Sequence, residues 1–175
     1  MNNKELNNTL RSEARFLGLC DEWYNEWKDY SEDELAERMY KGIDFCLKHH
    51  WPSNEFIAKN FKAVFLIDHG ILVDTKWSYA GLSKGLFLGA STATLRYSGR
   101  QYGNVAVRDT TKVTVYARGA ALVVFHLFEK AYIHAEVSEK ARVVFIMHSK
   151  EARVDAVTLD GGASAEIKEE YDYLK

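Results

Sequence analysis

The chain has 175 residues, 47% of them hydrophobic and 27% charged, which suits a folded protein with one sizeable core and argues against disorder. Two cysteines are too few for a disulfide framework or an all-cysteine zinc site, and both are expected to be buried. The first residues lack the features of a secretory signal, and no stretch approaches the ~20 apolar residues that span a bilayer. We therefore expect a cytoplasmic protein with no membrane partner.

Charge is distributed unevenly along the chain. Residues 1–75 carry 9 Lys and Arg against 14 Asp and Glu, a net charge of −5, whereas residues 89–157 carry 10 against 6, a net charge of +4. Proteins that bind nucleic acids concentrate basic side chains on one face, because phosphate contacts supply most of their affinity. The acidic first half therefore disfavours nucleic acid as a partner.

Apolar residues recur with helical spacing through the first 70 residues. The pattern predicts a first helix over Asn3–Leu17. A Ser-x-x-Glu capping box at Ser31 opens a second long helix, which the only proline, Pro52, ends. Ser53 is the expected N-cap of a third helix, which stops at Gly70. The sequence thus predicts a helical N-terminal domain or cap over the first 75 residues.

Residues 76–88 are interpreted as a transition, and beyond them the period changes from helical to alternating. Seven similar units follow at spacings of 10, 8, 10, 10, 10 and 11 residues. Each places a small residue, an aliphatic residue and a variable residue at positions i, i+2 and i+4, which point to one side of a strand. The pattern predicts a short-period β-solenoid over residues 89–157. The units are Ala93–Tyr97, Gly103–Val107, Thr111–Val115, Ala121–Phe125, Ala131–Ala135, Ala141–Phe145 and Ala152–Ala156.

About ten residues make one strand and one turn, so a coil of about twenty contains two strands on opposite walls of a narrow tube. Phe125 and Phe145 then stack on one wall and face Ala135 and Ala156 on the other, so that large residues oppose small ones. An antiparallel meander of hairpins is the alternative, although its preferred Asn-Gly or Asp-Gly turns are missing from residues 89–157.

Residues 158–175 form an acidic tail, with five acidic and two basic residues from Asp160 onward. Because a solenoid needs caps at its ends, we expect the tail to cap the last coil. A short terminal helix ending in Tyr171, Tyr173 and Leu174 is the predicted form. The fold class is therefore α+β, an N-terminal helical segment followed by a β-solenoid.

Three stretches carry a resemblance to a known group of proteins. One reads Gly18-Leu-Cys-Asp-Glu-Trp23, a second reads Gly42-Ile-Asp-Phe-Cys46 and runs into Trp51-Pro-Ser53, and Ala-x-Val-x-Val repeats follow. Over most of its length the chain resembles functionally uncharacterised proteins from gut bacteria, their phages and mobile elements. Its repeats also resemble bactofilin-type polymer-forming β-helices, which lack a helical domain of this size. The resemblance implies no catalytic residues, and it suggests a virion location and a tail-associated, receptor-binding adhesin as one alternative.

Motifs for catalysis are lacking, since the sequence contains no phosphate-binding loop, nucleophile elbow or paired-histidine metal helix. His126, His134 and His148 lie among the repeats, and a zinc site at a subunit boundary would make the protein a metal-dependent enzyme. His134, however, is expected on the wall opposite His126. We therefore predict surface histidines, no catalytic, cofactor-binding or metal-binding residues, and no enzyme activity.

Aromatic residues make up 13% of the chain, and the four tryptophans lie outside the regular repeat. Packing among the helices and against the first coil is the preferred interpretation of Trp23, Trp27, Trp51 and Trp77, because aromatic side chains dominate small cores. Carbohydrate is kept as an alternative ligand of any tryptophan that is exposed.

One outer wall of the predicted solenoid is apolar outside as well as inside. The residues concerned are Leu122, Val124, Val144 and Ile146, whereas the opposite wall presents polar side chains. Sheets buried on both faces lose their polar alternation, so we expect these four to be covered by the chain's own N-terminal helices, by a second subunit or by a protein partner. The sequence therefore predicts a structural or protein-interaction module that presents a rigid solenoid face.

Overall fold

A computed structural model describes residues 1–172 and divides them into two compact units. The helical unit comprises Met1–Lys62, and the solenoid unit begins at Ala63. Within the described part, no helix combines the length and apolar character needed to cross a membrane.

Six short helices lie within residues 1–172, in place of the three predicted from periodicity. The second predicted helix breaks at Gly42, whose ψ of 29° leaves the helical region at little cost for a residue without a Cβ. The third breaks at Phe61, which is extended. Hydrophobic spacing continues across both breaks, so periodicity alone does not detect them. The helices are α1 (Asn3–Phe16), α2 (Asp21–Asn25), α3 (Glu32–Lys41), α4 (Ile43–His49), α5 (Asn54–Asn60) and α6 (Ala63–Asp68).

Side-chain caps explain where several helices begin. The predicted capping box of α3 is confirmed, because Ser31 and Glu34 exchange hydrogen bonds between side chain and backbone. The hydrogen bond from the Ser31 backbone N–H lowers the pKa of Glu34. Asn2 and Glu5 form a second capping box at α1, and Ser53 caps α5 as predicted.

The helical unit has a small core, formed by Leu6, Leu10, Tyr30 and Leu35. Asn7 is buried beside it, and its amide makes hydrogen bonds both within α1 and to the segment that precedes α3. Its Nδ2 donates to the carbonyls of Tyr30 (2.8 Å) and Asn3 (3.0 Å), and its Oδ1 accepts from the Tyr30 N–H (3.1 Å) and the Trp27 Nε1–H (3.2 Å). A buried amide thus holds the segment before α3 against α1.

The solenoid unit contains two parallel sheets that face each other, which confirms the predicted fold class. A six-stranded sheet, termed sheet A, has the order β1-β3-β5-β7-β9-β11, and a five-stranded sheet, termed sheet B, has the order β10-β8-β6-β4-β2. Every strand pairs in parallel with the strand two places on, so the antiparallel meander is ruled out. The strands are β1 (Ile71–Val73), β2 (Lys76–Ala80), β3 (Lys84–Leu88), β4 (Thr92–Tyr97), β5 (Tyr102–Val107), β6 (Lys112–Ala117), β7 (Leu122–Leu127), β8 (Tyr132–Val137), β9 (Arg142–Met147), β10 (Arg153–Thr158) and β11 (Ser164–Glu169).

The solenoid is longer than predicted at both ends. The predicted transition at residues 76–88 contains β2 and β3, whose alternation is obscured because Leu86, Phe87 and Leu88 are all buried. At the other end, the predicted terminal helix is wrong, since the tail adds β11 to β9. Tyr171 follows that strand in a turn, whereas the predicted positions Tyr173 and Leu174 lie outside the described residues.

The pairing register corrects the alignment of the first two repeat units. Ala93 is the partner of Val113, and Gly103 is the partner of Val123. Both units therefore begin two residues earlier than predicted, at Ser91 and Gln101, and the irregular spacing of 8 disappears. A shift of two residues keeps every side chain on the same face, so alternation does not reveal it.

The turns share a repeating backbone conformation that explains the ten-residue period. A residue with positive φ recurs every tenth position at Gly89, Gly99, Asp109, Gly119, Glu129 and Glu139. Successive turns on the same edge hydrogen-bond to one another, as from the Lys130 N–H to the Asp109 carbonyl at 3.0 Å. The turns are therefore stacked ladders, as the strands are.

Inward-facing residues fill the space between the sheets. Phe125 and Phe145 are fully buried and stack on sheet A with their ring centroids 5.7 Å apart, as predicted. Ala135 and Ala156 are register partners on sheet B. Large residues also oppose small ones elsewhere, because a Cβ built on Gly103 would lie 2.5 Å from the hydroxyl of Tyr97. Burial raises the pKa of that Tyr97 hydroxyl, which donates to the Leu82 carbonyl.

Candidate binding surfaces

The four residues predicted to form an interface lie together on the outer face of sheet A. Leu122 and Val124 point outward from β7, and Val144 and Ile146 point outward from β9. Val124 and Val144 are register partners on adjacent strands. Leu122 is 41% exposed, and the other three are half-buried. These four side chains form one surface patch, here called the apolar strip.

Polar residues border the apolar strip on both neighbouring strands. On β5, exposed Asn104 precedes Val124 in the same column of the sheet. On β11, Glu166 follows Val144 and Lys168 follows Ile146, and both are exposed. An apolar centre with a polar rim is typical of surfaces that bind other molecules.

A pair of histidines lies at one end of the apolar strip. His126 is the register partner of Ile146, and its Nδ1 lies 3.0 Å from the Nε2 of His148. The Nδ1 of His148 lies 3.0 Å from the Glu170 carbonyl oxygen, and its ring stacks on Phe128 at 4.6 Å. Because a carbonyl oxygen only accepts, the Nδ1–H of His148 donates to Glu170, and the second contact joins the two imidazole rings. Both nitrogens of His148 are thus used in hydrogen bonds.

His134 lies in sheet B, on the wall opposite the other two histidines, as its sequence position predicted. Its Nδ1 is 3.1 Å from Asp155 Oδ2, and its Nε2 is 3.7 Å from Glu136 Oε1. The three histidines of the repeat region therefore do not share one site. They form two separate surface clusters.

The outer face of sheet B is polar and carries a shallow groove of about 520 Å³. Arg96, Tyr116, Arg118 and Glu136 contribute to its wall. The guanidinium of Arg96 lies over the ring of Tyr116 at 5.3 Å from the centroid. The groove is open, and its charged side chains are of both signs.

The helical unit contains a pocket that the sequence did not predict. It has a volume of about 370 Å³ and is here called the aromatic pocket. Trp27 meets Trp51 edge to face at 6.4 Å, and Phe45 meets Trp51 edge to face at 5.6 Å. Its principal lining residues are Trp23, Trp27, Phe45, Trp51, Phe61, Leu10, Leu35, Met39 and Arg38.

Arg38 is the basic residue in the wall of the aromatic pocket. Its guanidinium lies over the rings of Trp23 (4.8 Å) and Tyr30 (4.5 Å), and its side chain is 18% exposed. The nearest carboxylate oxygen recorded for it, Glu26 Oε2, is 4.0 Å from Nη2. Nε and Nη2 are buried and have no hydrogen-bond partner among the described residues.

The sequence interpretation of the aromatic residues is only partly adequate. Trp23, Trp27 and Trp51 do pack among the helices, but they leave a pocket between them. Trp77 is separate from them on β2 and is 47% exposed. Arg38, between the apolar positions Leu35 and Met39 of α3, was the one sequence signal of a charged group on a buried face. Carbohydrate as a ligand stays a prediction.

The two cysteines differ in exposure. Cys46 is buried as expected, whereas the expectation for Cys20 is wrong, because Cys20 is exposed at the start of α2. Both residues line the aromatic pocket. Cys20 therefore provides a chemical probe of that pocket.

Comparison of the chain with known protein families, with curated proteins and with solved structures finds no match. The resemblance to proteins of gut bacteria and their phages therefore stays a prediction.

Proposed function

We propose that this chain is a non-enzymatic structural or protein-interaction module whose solenoid presents a rigid face to a protein partner or to a second copy. The observation that carries the proposal is the apolar strip, four outward apolar residues on two adjacent strands with polar residues on either side. Outward positions of a sheet that faces water are normally polar, so this exception has to be explained.

The ladder of parallel strands supports this role. Val124 and Val144 are fixed as neighbours by backbone hydrogen bonds on both sides, so little conformational entropy is lost when a partner covers them. Full burial of one such side chain contributes about 1.5–3 kcal/mol relative to leaving it exposed. The apolar strip thus supplies the centre of an interface, and Asn104, Glu166 and Lys168 supply polar contacts around it.

The test replaces Val124 and Val144 by Asp together and measures sedimentation and thermal unfolding. Charges at these positions should weaken association and leave the stability of the chain unchanged. A carboxylate that is buried unpaired in an interface loses its hydration, whereas one that faces water keeps it. Thr94→Asp is the matched control, since it adds a charge at a half-buried outward position of sheet B without removing apolar surface from the strip. It should leave association nearly unchanged.

Two results would contradict the proposal. A loss of stability at constant mass would mean that the two valines are packed within the folded chain. If neither stability nor mass changes, the apolar strip is an ordinary solvent-exposed surface.

A further inference from the structure

The aromatic pocket of the helical unit has the size and composition of a small-molecule site. Its volume of about 370 Å³ lies at the lower end of the range of about 300–1,000 Å³ that is usual for ligand sites. Three indole rings and two phenyl rings line it, so a flat apolar ligand finds large ring surfaces on several sides. Few polar groups share the wall, which favours an apolar ligand body.

Arg38 gives this apolar pocket a positive charge. The guanidinium is held between Trp23 and Tyr30, and cation–π contacts replace part of its hydration. Buried charges are normally paired with a carboxylate or fully hydrogen-bonded, because desolvation costs several kcal/mol. Glu26 does not meet that need, since its carboxylate oxygen is beyond hydrogen-bond distance at 4.0 Å.

The two donors of Arg38 without a partner are adjacent in the guanidinium plane. Nε and Nη2 form the edge that a carboxylate bridges with two parallel hydrogen bonds. Such bidentate pairs are among the strongest and most directional hydrogen bonds in proteins. Both donors are buried, so a ligand carboxylate reaches them when the Arg38 side chain turns toward the pocket, and it then provides the missing acceptors and the missing negative charge.

We propose that the aromatic pocket binds a small molecule that has a compact aromatic body and a single carboxylate. The aromatic body packs among Trp23, Trp27 and Trp51, and the carboxylate pairs with Arg38. Arg38 is the basic residue of the pocket wall, so the pocket pairs one negative charge. This site lies in the helical unit and is independent of the role proposed for the apolar strip.

The experiment compares 2-naphthoate with its neutral isostere 2-naphthamide as probes of the full chain. Binding is measured by calorimetry and by NMR, in which each of the four tryptophans gives an indole N–H signal. We expect 2-naphthoate to bind at least about tenfold more tightly, the usual effect of a hydrogen bond to a charged group. The signals of Trp23, Trp27 and Trp51 should shift, whereas that of Trp77, on β2, should not.

Arginine variants then identify the anion receptor. Arg38→Met should abolish the preference for 2-naphthoate while leaving 2-naphthamide binding nearly unchanged. Arg11→Met is the matched control, because Arg11 also stacks on an aromatic ring, that of Tyr24 at 4.1 Å, but does not line the pocket. This control should keep the preference, and 2-naphthoate should slow the alkylation of Cys20 in it as in the unmodified chain.

The proposal is overturned if the two probes bind the unmodified chain equally, or if neither shifts the three indole signals. It is also overturned if a folded Arg38→Met variant keeps the preference. The probe comparison needs no variant, so it remains decisive even if Arg38→Met fails to fold. The Val124 and Val144 double variant should bind 2-naphthoate normally, which separates this proposal from that for the apolar strip.

Discussion

The solenoid unit and the helical unit use opposite strategies to build a core. In the solenoid, one pattern of inward residues repeats along parallel strands, and each coil buries its apolar side chains against similar neighbours. In the helical unit, five short helices surround a small core of four buried residues and a pocket beside it. The core of the solenoid unit therefore repeats one kind of contact, whereas the core of the helical unit consists of different contacts that each occur once.

The two kinds of core differ in how firmly they hold the surface above them. A column such as Val105, Phe125 and Phe145 is supported from both sides, so the outer surface above it is held at fixed spacing. Single contacts such as those of Asn7 and Arg38 can leave space between helices, and space is what a ligand requires. The difference is in keeping with the two proposals, surface recognition by the solenoid and small-molecule binding by the helices.

Removal of a stacked ring should give the largest effect and tests the repeated core. Phe125→Ala should lower the free energy of unfolding by about 3–5 kcal/mol, because a fully buried ring leaves a cavity that rigid neighbours cannot fill. Phe16→Ala, at a residue that is 91% exposed, should stay within about 0.5 kcal/mol. Urea unfolding followed by circular dichroism measures both. Similar losses in the two variants would contradict a core centred on Phe125.

The single contacts of the helical unit can be broken at Asn7. Asn7→Ala should cost about 2–3 kcal/mol, because the Tyr30 N–H and the Trp27 Nε1–H lose their acceptor. Asn8→Ala is the matched control on the same helix, where the side chain is exposed and alanine is the better helix former. Tryptophan fluorescence during urea unfolding reports the change near Trp27. Equal stability of the two variants would show that Asn7 does not hold this segment.

The fit of large to small residues in the solenoid can be tested at Gly103. Gly103→Ala should cost about 1–3 kcal/mol, because the new methyl group meets the ring of Tyr97. Gly161→Ala should change stability little, since no atom lies within 4 Å of a Cβ there. Thermal unfolding compares them. Tyr97→Leu combined with Gly103→Ala should recover part of the loss, and a failure to recover would contradict steric overlap as the cause.

Alkaline pH should have the smallest effect on stability, and it tests the same packing between the two sheets. Burial raises the pKa of Tyr97, and burial together with the charge of Asp68 raises that of Tyr79. Stability from the neutral hydroxyls is complete below the unfolded-state pKa of about 10 and falls as pH rises above it, by at most about 1.4 kcal/mol per pH unit for each tyrosine. The free energy of unfolding is determined at intervals of about 0.5 pH unit between pH 9 and pH 11. Its decline with pH should be shallower in Tyr97→Phe than in the unmodified chain. An unchanged slope would show that Tyr97 does not titrate with unfolding.

The solenoid could be predicted from the sequence because its information is local and repeated. Alternation assigns residues such as Val123 and Phe125 to the interior, and the ten-residue period assigns successive strands to opposite walls. Leu122 and Val124 could be recognised as outward and apolar for the same reason. Capping boxes such as that at Ser31 are also local, and they marked the starts of helices.

Register, chain-end strands and the aromatic pocket were decided only by the tertiary structure. A two-residue shift of the unit at Gly103 preserves the buried face, so only the pairing with Val123 reveals the true alignment. Strand β11 has few buried residues of its own and forms because β9 provides backbone partners. The aromatic pocket depends on residues far apart in the chain that meet when α1, α3 and α4 pack together. Periodicity shows which side of a helix or strand is apolar. It does not show how far that side lies from the element packed against it, and this distance decides whether a pocket is left.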